Sequence, residues 1–390
     1  MDELLPEADW IKRSDLAALV DALGVENVRW VGGAVRDTLL GSDVQDVDAA
    51  TPLVPSEVIA CLDAAKIRNV PTGIDHGTVT AVLPGGPVEI TTLRRDVSTD
   101  GRRATIAFAD EWRDDAARRD FTINALYTHP ETREILDFFG GLQDLADRRV
   151  RFIGEARERI REDHLRILRY YRFQARFGSE LDVQAEEACA ELAETLKGLS
   201  RERVAKELLQ LLGLPAPYPT VERMYEQGII SVILPETGRP ELGVLKQVIS
   251  AEEECQIAPE GLRRLAALIP ASPETAQTVA TRLRLSRSQR EHLISLAKRD
   301  KADLTNQRAL AYRQGMTRAI DRVLLHGGNI SPLRDWEPPQ FPLKGGEIVQ
   351  RGVDAGPEVA RILQAVEARW IEEGFPERAR VVQFLDQELG

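Results

Sequence analysis

Val31-Gly32-Gly33-Ala34-Val35-Arg36-Asp37, followed closely by Asp46-Val47-Asp48, decides how this chain is read. A short apolar run ending in two glycines predicts a strand-to-helix turn. Glycine has no Cβ, so backbone amides there can approach an anion closely. Ala34 to Leu40 predicts a short helix, with Gly41 just past its end. The amides of Gly32 and Gly33 and the helix N-terminus together favour bound phosphate. Side chains alternate along a strand, so Asp46 and Asp48 are expected on one face, with Val47 turned into a core. Two carboxylates so placed repel unless a cation lies between them. Hard oxygen ligands of this kind suit Mg²⁺, which completes its shell with water and substrate phosphates. A lone Asp-x-Asp is common in surface loops; the Gly-Gly-x-x-Arg-Asp ahead of it is what points to Mg²⁺-nucleotide chemistry.

Composition sets the outer limits. At 390 residues the chain exceeds one ordinary core, so several domains are expected. Hydrophobic content of 43% and charged content of 29% are those of a globular protein. No apolar run is long enough to span a bilayer, so no membrane partner is expected. Met1-Asp2-Glu3 lacks the basic region of a signal peptide. Cys61, Cys189 and Cys255 are far apart and lack metal-ligand spacing, which predicts a reducing, cytoplasmic setting. A net charge of −12 argues against indiscriminate coating of nucleic acid. Arginine is nevertheless concentrated from Arg94 to Arg119 and from Arg148 to Arg176, as solvated helix faces or as a local basic surface.

The pattern along the chain predicts an α+β protein. Residues 1–26 read as an N-terminal helix and residues 27–150 as a strand-rich head. Thr78–Leu83 and Val88–Leu93 flank Pro84-Gly85-Gly86-Pro87 as a hairpin. Glu89 points away from Val88 and Ile90, either to solvent or to the same side as Asp46 and Asp48. Ser98-Thr99-Asp100-Gly101-Arg102-Arg103 reads as a mobile loop. Beyond residue 150 helical patterns dominate. They divide into 151–215, 216–330 and a tail from 331 to 390, in which Gly356-Pro357 marks a helix start.

Two further segments bear chemistry. In Arg118-Arg119-Asp120-Phe121-Thr122-Ile123-Asn124-Ala125, the guanidinium of Arg119 suits a triphosphate, and Asp120 and Asn124 suit ribose hydroxyls. The bland alternative is a surface ion pair. Glu162-Asp163-His164-Leu165-Arg166-Ile167-Leu168-Arg169 reads as the start of one long helix ending near Phe177. There Asp163 and Arg166, three apart, offer either an intrahelical ion pair or an acceptor and donor matched to a base edge. Cytosine and adenine each carry an exocyclic amine beside a ring-nitrogen acceptor, so one such pair accepts both.

These segments together, with Thr72-Gly73-Ile74-Asp75-His76-Gly77-Thr78 and Asp137-Phe138-Phe139-Gly140-Gly141-Leu142-Gln143-Asp144-Leu145 in the same order, resemble the class II tRNA nucleotidyltransferases. These are the CCA-adding enzymes and their poly(A) polymerase relatives. Ser200-Arg201-Glu202-Arg203-Val204 extends the likeness to about residue 212, and it loosens beyond. The resemblance implies a nucleotidyltransferase-type mixed β-sheet head followed by an all-helical neck, body and tail. It implies addition of C and A to the 3′ end of tRNA from CTP and ATP, with release of pyrophosphate. It places two Mg²⁺ at Asp46 and Asp48; the alternation of β-strand side chains leaves Glu89 open as a third ligand. It sets Gly33 and Arg36 at the triphosphate, Arg119 and Asp120 at phosphate and ribose, and Asp163 and Arg166 at the base, with Arg169 supporting that pocket. Neck, body and tail would contact tRNA. The same motifs leave open a poly(A) polymerase, a CC-only or A-only enzyme, or an inactive tRNA-binding protein.

Overall fold

The computed structural model describes residues 3–100, 103–177 and 181–390. Among the described residues nine strands run in chain order: β1 (Arg29–Val31), β2 (Val47–Thr51), β3 (Asn69–Gly73), β4 (Thr78–Leu83), β5 (Gly86–Thr92), β6 (Arg94–Asp100), β7 (Arg103–Phe108), β8 (Leu126–Thr128) and β9 (Ile135–Asp137). Seven form one mixed sheet in the order β3-β4-β5-β2-β1-β8-β9, and β6 and β7 form a separate two-stranded ribbon. β2 and β5 are parallel; the other neighbours in the main sheet are antiparallel. The expected hairpin is β4 and β5, closed by Leu83 opposite Gly86. The far edge at β9 is covered by the N-terminal segment, where Leu4 bridges Glu134 and the Leu5 amide donates to the Arg133 carbonyl.

Alternation decides which side chains enter the core. Val88, Ile90 and Thr92 of β5 are buried, whereas Glu89 is exposed between them. Val47 is buried and Asp48 is only partly so. Leu93 and Ala109, at the base of the β6–β7 ribbon, join Val31, Ala50, Ala125 and Tyr127 in one apolar cluster.

Two expectations are corrected here. The segment from Ser98 to Arg103 is not a loop in its described part. Ser98, Thr99 and Asp100 pair with Thr105, Ala104 and Arg103, while the tip at Gly101-Arg102 lies outside the described residues. Polar composition misleads because backbone pairing needs no apolar face. Asp46 also does not share the strand with Asp48: it is exposed and precedes β2. The parallel register pairs Val47 with Val88, so the next position on β5 is Pro87, which has no N–H to give the ladder.

Helices α1 (Ser14–Leu23), α2 (Gly33–Leu39), α3 (Pro55–Ala64), α4 (Trp112–Ala117) and α5 (Gly141–Ala146) accompany the sheet. α2 stops as expected, with Gly41 at φ +65° and its amide bonded to the Thr38 carbonyl. Then come α6 (Ala156–Glu162), α7 (Arg166–Phe177), α8 (Val183–Glu191) and α9 (Arg201–Leu212). α7 buries Tyr170, Tyr171, Phe173 and Phe177. The Phe121 ring, from the segment that carries Arg119, lies 4.9 Å from Phe152 and 5.4 Å from Phe173. Such an aromatic cluster locks that segment against α7.

The chain divides into two compact units, one of residues 1–211 with 219–233 and the other of residues 212–218 with 234–390. The second is helical among its described residues and holds a buried ion network. Arg263 donates to Asp321 at 2.8 Å and to Glu252, and Arg264 donates to Glu252 at 2.8 Å. Its C-terminal part packs Trp370 among Val366, Val381, Phe384 and Leu385. The helix Pro357–Glu372 begins with proline in its first turn, as Gly356-Pro357 predicts. Among the described residues no helix is long and apolar enough to cross a membrane.

Candidate active site

One cleft of about 360 Å³ in the first unit collects Asp48, Glu89, Thr91, Arg94, Asp115, Arg118, Arg119, Asp120, Asp163, Arg166 and Arg169. Its floor is the sheet. Asp48 and Glu89 are register partners on the neighbouring strands β2 and β5, so their carboxylates rise side by side. Burial, and then the charge of Glu89, push the Asp48 carboxyl up to about 6, with Arg119 opposing and Asp46 adding to the rise. Among the described residues no ion pair reaches Asp46, Asp48 or Glu89. Oxygen-only donors without a balancing cation fit a hard divalent metal. Among the described residues no three His, Cys, Asp or Glu side chains gather to hold a metal alone. A metal here would therefore draw its other ligands from water and phosphate.

The wall beside β1 is basic. Gly32 has φ +71°, the left-handed region open to glycine, and a Cβ there would lie 3.5 Å from Arg119 Nη1. Arg119 is clamped from behind. Its Nε donates to the Tyr127 hydroxyl at 3.0 Å and its Nη2 to Asp115 at 3.2 Å, while Tyr127 donates to the same Asp115 oxygen at 2.7 Å. Burial works against the Arg119 charge, but Tyr127 and Asp115 outweigh it and raise its pKa. Asp115 and Tyr127 were not singled out in the sequence. The i,i+4 spacing of Asp115 and Arg119 is the one local signal for them.

Asp120 accepts from Arg169 at 2.6 Å and from Asn124 Nδ2 at 3.0 Å. Burial would raise the Asp120 carboxyl, yet Arg169 and Asn124 hold it at about 2. Asn124 turns inward and takes the Arg36 guanidinium at 2.5 Å. Arg36 is itself buried, bonded to Asp37 at 2.9 Å, with the Phe173 ring 5.1 Å away. Arg36 and Asn124 therefore lie beneath the cleft rather than along its wall. Gly32, Gly33 and Asp46 are likewise absent from the lining.

The expected single helix from Glu162 to Phe177 is broken. Asp163 is extended, at φ −149° and ψ 103°, between α6 and α7. Its Oδ1 accepts the Leu165 amide at 3.1 Å, a local bond that competes with the helix. The Asp163–Arg166 ion pair is replaced by two others. Asp163 accepts from Arg203 at 2.6 Å, and Arg166 donates to Glu162 at 2.5 Å and to the Arg118 carbonyl at 3.0 Å. Both still face the cleft. Arg203 carries no local signal, being forty residues away.

A mixed sheet with paired carboxylates on adjacent strands, facing a basic wall that begins at a glycine turn, defines a nucleotidyltransferase. The chain matches the models of two families: the Poly A polymerase head domain over residues 28–151 and the Probable RNA and SrmB-binding site of polymerase A over residues 180–239. It is 32% identical to CCA tRNA nucleotidyltransferase 1, mitochondrial, of Mus musculus, covering 95% of this chain and 89% of that protein. It is also 32% identical to the CCA-adding enzyme of Streptococcus gordonii, covering 92% of each. The Bacillus stearothermophilus CCA-adding enzyme, solved in complex with CTP, superposes with a TM-score of 0.76 at 25% identity, over 96% of this chain and 97% of that one. The chain belongs to the CCA tRNA nucleotidyltransferase family.

Proposed function

We propose that this protein adds C, C and A in turn to the 3′ end of tRNA, taking CTP and ATP and releasing pyrophosphate. The observation that carries this is the single cleft in which Asp48 and Glu89 face Arg119, Asp120, Asp163 and Arg166. Support comes also from structural neighbours described with CTP, with ATP and, for the Thermotoga maritima enzyme, with tRNA.

Each residue has a role matched to its chemistry. Asp46 and Asp48, with Glu89, would hold Mg²⁺. When bound, the metal supplies positive charge that favours the 3′-oxyanion and the departing pyrophosphate. The Gly33 amide and Arg119 would take the triphosphate, since the Gly32 amide is already given to the Leu126 carbonyl at 3.3 Å, and Arg119 is held charged and oriented for it. Asp120, kept ionised by Arg169, would accept from a ribose hydroxyl. Arg36 and Asn124 would act one layer further in, by fixing Asp120. Asp163 would accept from the exocyclic amine of C or A, and Arg166 would donate to the ring nitrogen or carbonyl. Catalysis would then be mostly positioning and charge neutralisation. The second unit, with its separate helical core, would hold the body of the tRNA by shape and phosphate contacts. Free thiols at Cys61, Cys189 and Cys255 suit the reducing cytoplasm.

The test is incubation with tRNAs ending before, within and after CC, together with CTP and ATP, followed by sequencing of the 3′ ends. The expected product is a single CCA end, lost in Asp48→Ala. Incorporation of ATP alone into unstructured RNA would favour a poly(A) polymerase. Products that stop at CC, or that grow only from CC, would favour a partial enzyme.

A further inference from the structure

We propose that Phe108 is the seat on which the terminal base of the RNA being extended stacks. The inference rests on the 3′-end extension argued above.

The order of strands says from which side the RNA enters. Gly33 and Arg119, assigned to the triphosphate, lie toward β1 and β8. Across Asp48, on the other side, lies β5. Displacement at the α-phosphorus is in line, so the attacking hydroxyl approaches opposite the leaving pyrophosphate. The RNA 3′ end therefore enters over β5, past Glu89, Thr91 and Arg94 of the cleft wall.

An aromatic ring stands beside Arg94 of that wall. Phe108 is the register partner of Arg94 across the β6–β7 ribbon, so the two side chains share one face. The ring is 46% exposed, although its register partner Arg94 lines the charged cleft. It is also held in place. The next residue, Ala109, is buried, and its amide donates to the Leu93 carbonyl at 2.9 Å. On one side the ring rests on bare backbone at Gly77, where a Cβ would meet Phe108 Cε1 at 3.2 Å and Arg94 Cδ at 3.5 Å. The turn at His76-Gly77-Thr78 thus makes room for Phe108 and Arg94. Arg94 in turn donates to the His76 carbonyl.

A fixed ring with a free face beside a guanidinium is the surface on which unpaired nucleobases stack. Stacking tolerates every base. That suits a site whose terminal base is not the same at every addition, whereas the Asp163–Arg166 edge reads only the incoming nucleotide.

The test compares wild type with Phe108→Ala, Phe108→Leu and Phe108→Trp. The substrates are a tRNA ending in CC, with ATP, and the same tRNA with its terminal base removed. Phe108→Ala is expected to raise KM for the CC-ended tRNA about tenfold, the size of one lost base stack. KM for ATP and the melting temperature should stay unchanged. Tryptophan should restore the wild-type value and leucine should not. Removing the base should cost wild type about the same factor and cost Phe108→Ala nothing more. Restoration by leucine, or additive losses from ring and base, would show that the ring only packs on Gly77 and would overturn the proposal. If wild type fails to extend any tRNA, the extension function itself fails and the seat falls with it. If wild type extends tRNA and Phe108→Ala matches it, only the seat is rejected.

Discussion

Arg203 Nη2 donates to Asp163 Oδ2 at 2.6 Å, tying α9 to the residue between α6 and α7. The other Asp163 oxygen takes the Leu165 amide, so the carboxylate is aimed from both sides. Both partners are partly exposed, and such a pair adds little stability. Its effect is on direction. Arg203→Ala is expected to change unfolding stability by less than about 1 kcal/mol. It should lower the preference for CTP and ATP over UTP and GTP about tenfold, roughly one well-made hydrogen bond to a base edge. The measurement is kcat/KM for the four nucleotides on one tRNA. Unaltered discrimination would detach Arg203 from base choice.

Arg36 is the case where resemblance and geometry part. Its guanidinium is buried, bonded to Asp37 and Asn124, and lies within 5.1 Å of Phe173 and 5.4 Å of Phe177. Removing one partner of a buried charge network leaves the others uncompensated. Arg36→Ala should therefore cost about 3 kcal/mol of stability in urea unfolding. Arg36→Lys should recover little, because an ammonium lacks the planar fork that serves Asp37 and Asn124 together. A variant of wild-type stability with only a raised KM for nucleotide would return Arg36 to the triphosphate.

What could be read in advance followed from local rules. Alternation put Glu89 out and Val88 and Ile90 in, and a glycine pair after a strand marked the turn at Gly32, where φ is +71°. Pairings across long separations were not legible. Asp163–Arg203 and Arg169–Asp120 span forty and forty-nine residues and leave no local pattern. Neither was the break at Asp163 visible, because periodicity continues through it while one side-chain bond to the Leu165 amide ends the helix. The position of Asp46 depended on Pro87, a residue of another strand.

Asp120 makes stability depend on acid. Its pKa falls from 3.8 to about 2 in the fold: burial opposes the charge, but Arg169 and Asn124 outweigh it. A depressed carboxyl contributes stability above its unfolded pKa, and that stability is lost as pH falls through the folded value. The window thus runs from about pH 4 down to about pH 2. Between pH 5 and pH 3 the wild type should lose about 1 kcal/mol more than Asp120→Asn, as judged by urea unfolding at each pH. Parallel pH profiles for the two would mean that Asp120 is no more acidic in the fold than in the unfolded chain.

The motif from Asp137 to Leu145 carries structure rather than chemistry, and one substitution tests this. Asp137 accepts the amides of Phe139 at 3.2 Å, Gly141 at 2.9 Å and Leu142 at 2.9 Å, and so opens α5. That turn presses Gly141 onto the backbone of the segment holding Asp120. A Cβ at Gly141 would overlap the Thr122 carbonyl oxygen and sit 2.9 Å from its carbon and 3.0 Å from Leu126 Cδ2. The obstacle is backbone, so no rotamer change relieves it. Thr122 is further pinned where its hydroxyl donates to Asp144 at 2.6 Å. Gly141→Ala must move either α5 or the Thr122 segment, at a cost of about 1–3 kcal/mol, as for other overpacked cores. The displaced Thr122 would carry Asp120 and Asn124 with it, so KM for nucleotide should rise along with the loss of stability. Asp144→Asn removes the charge beside Thr122 without adding bulk. It should weaken the fold less and leave nucleotide KM nearer the wild-type value, separating steric displacement from the weakening of the Asp144 bonds to Thr122 and to Arg151.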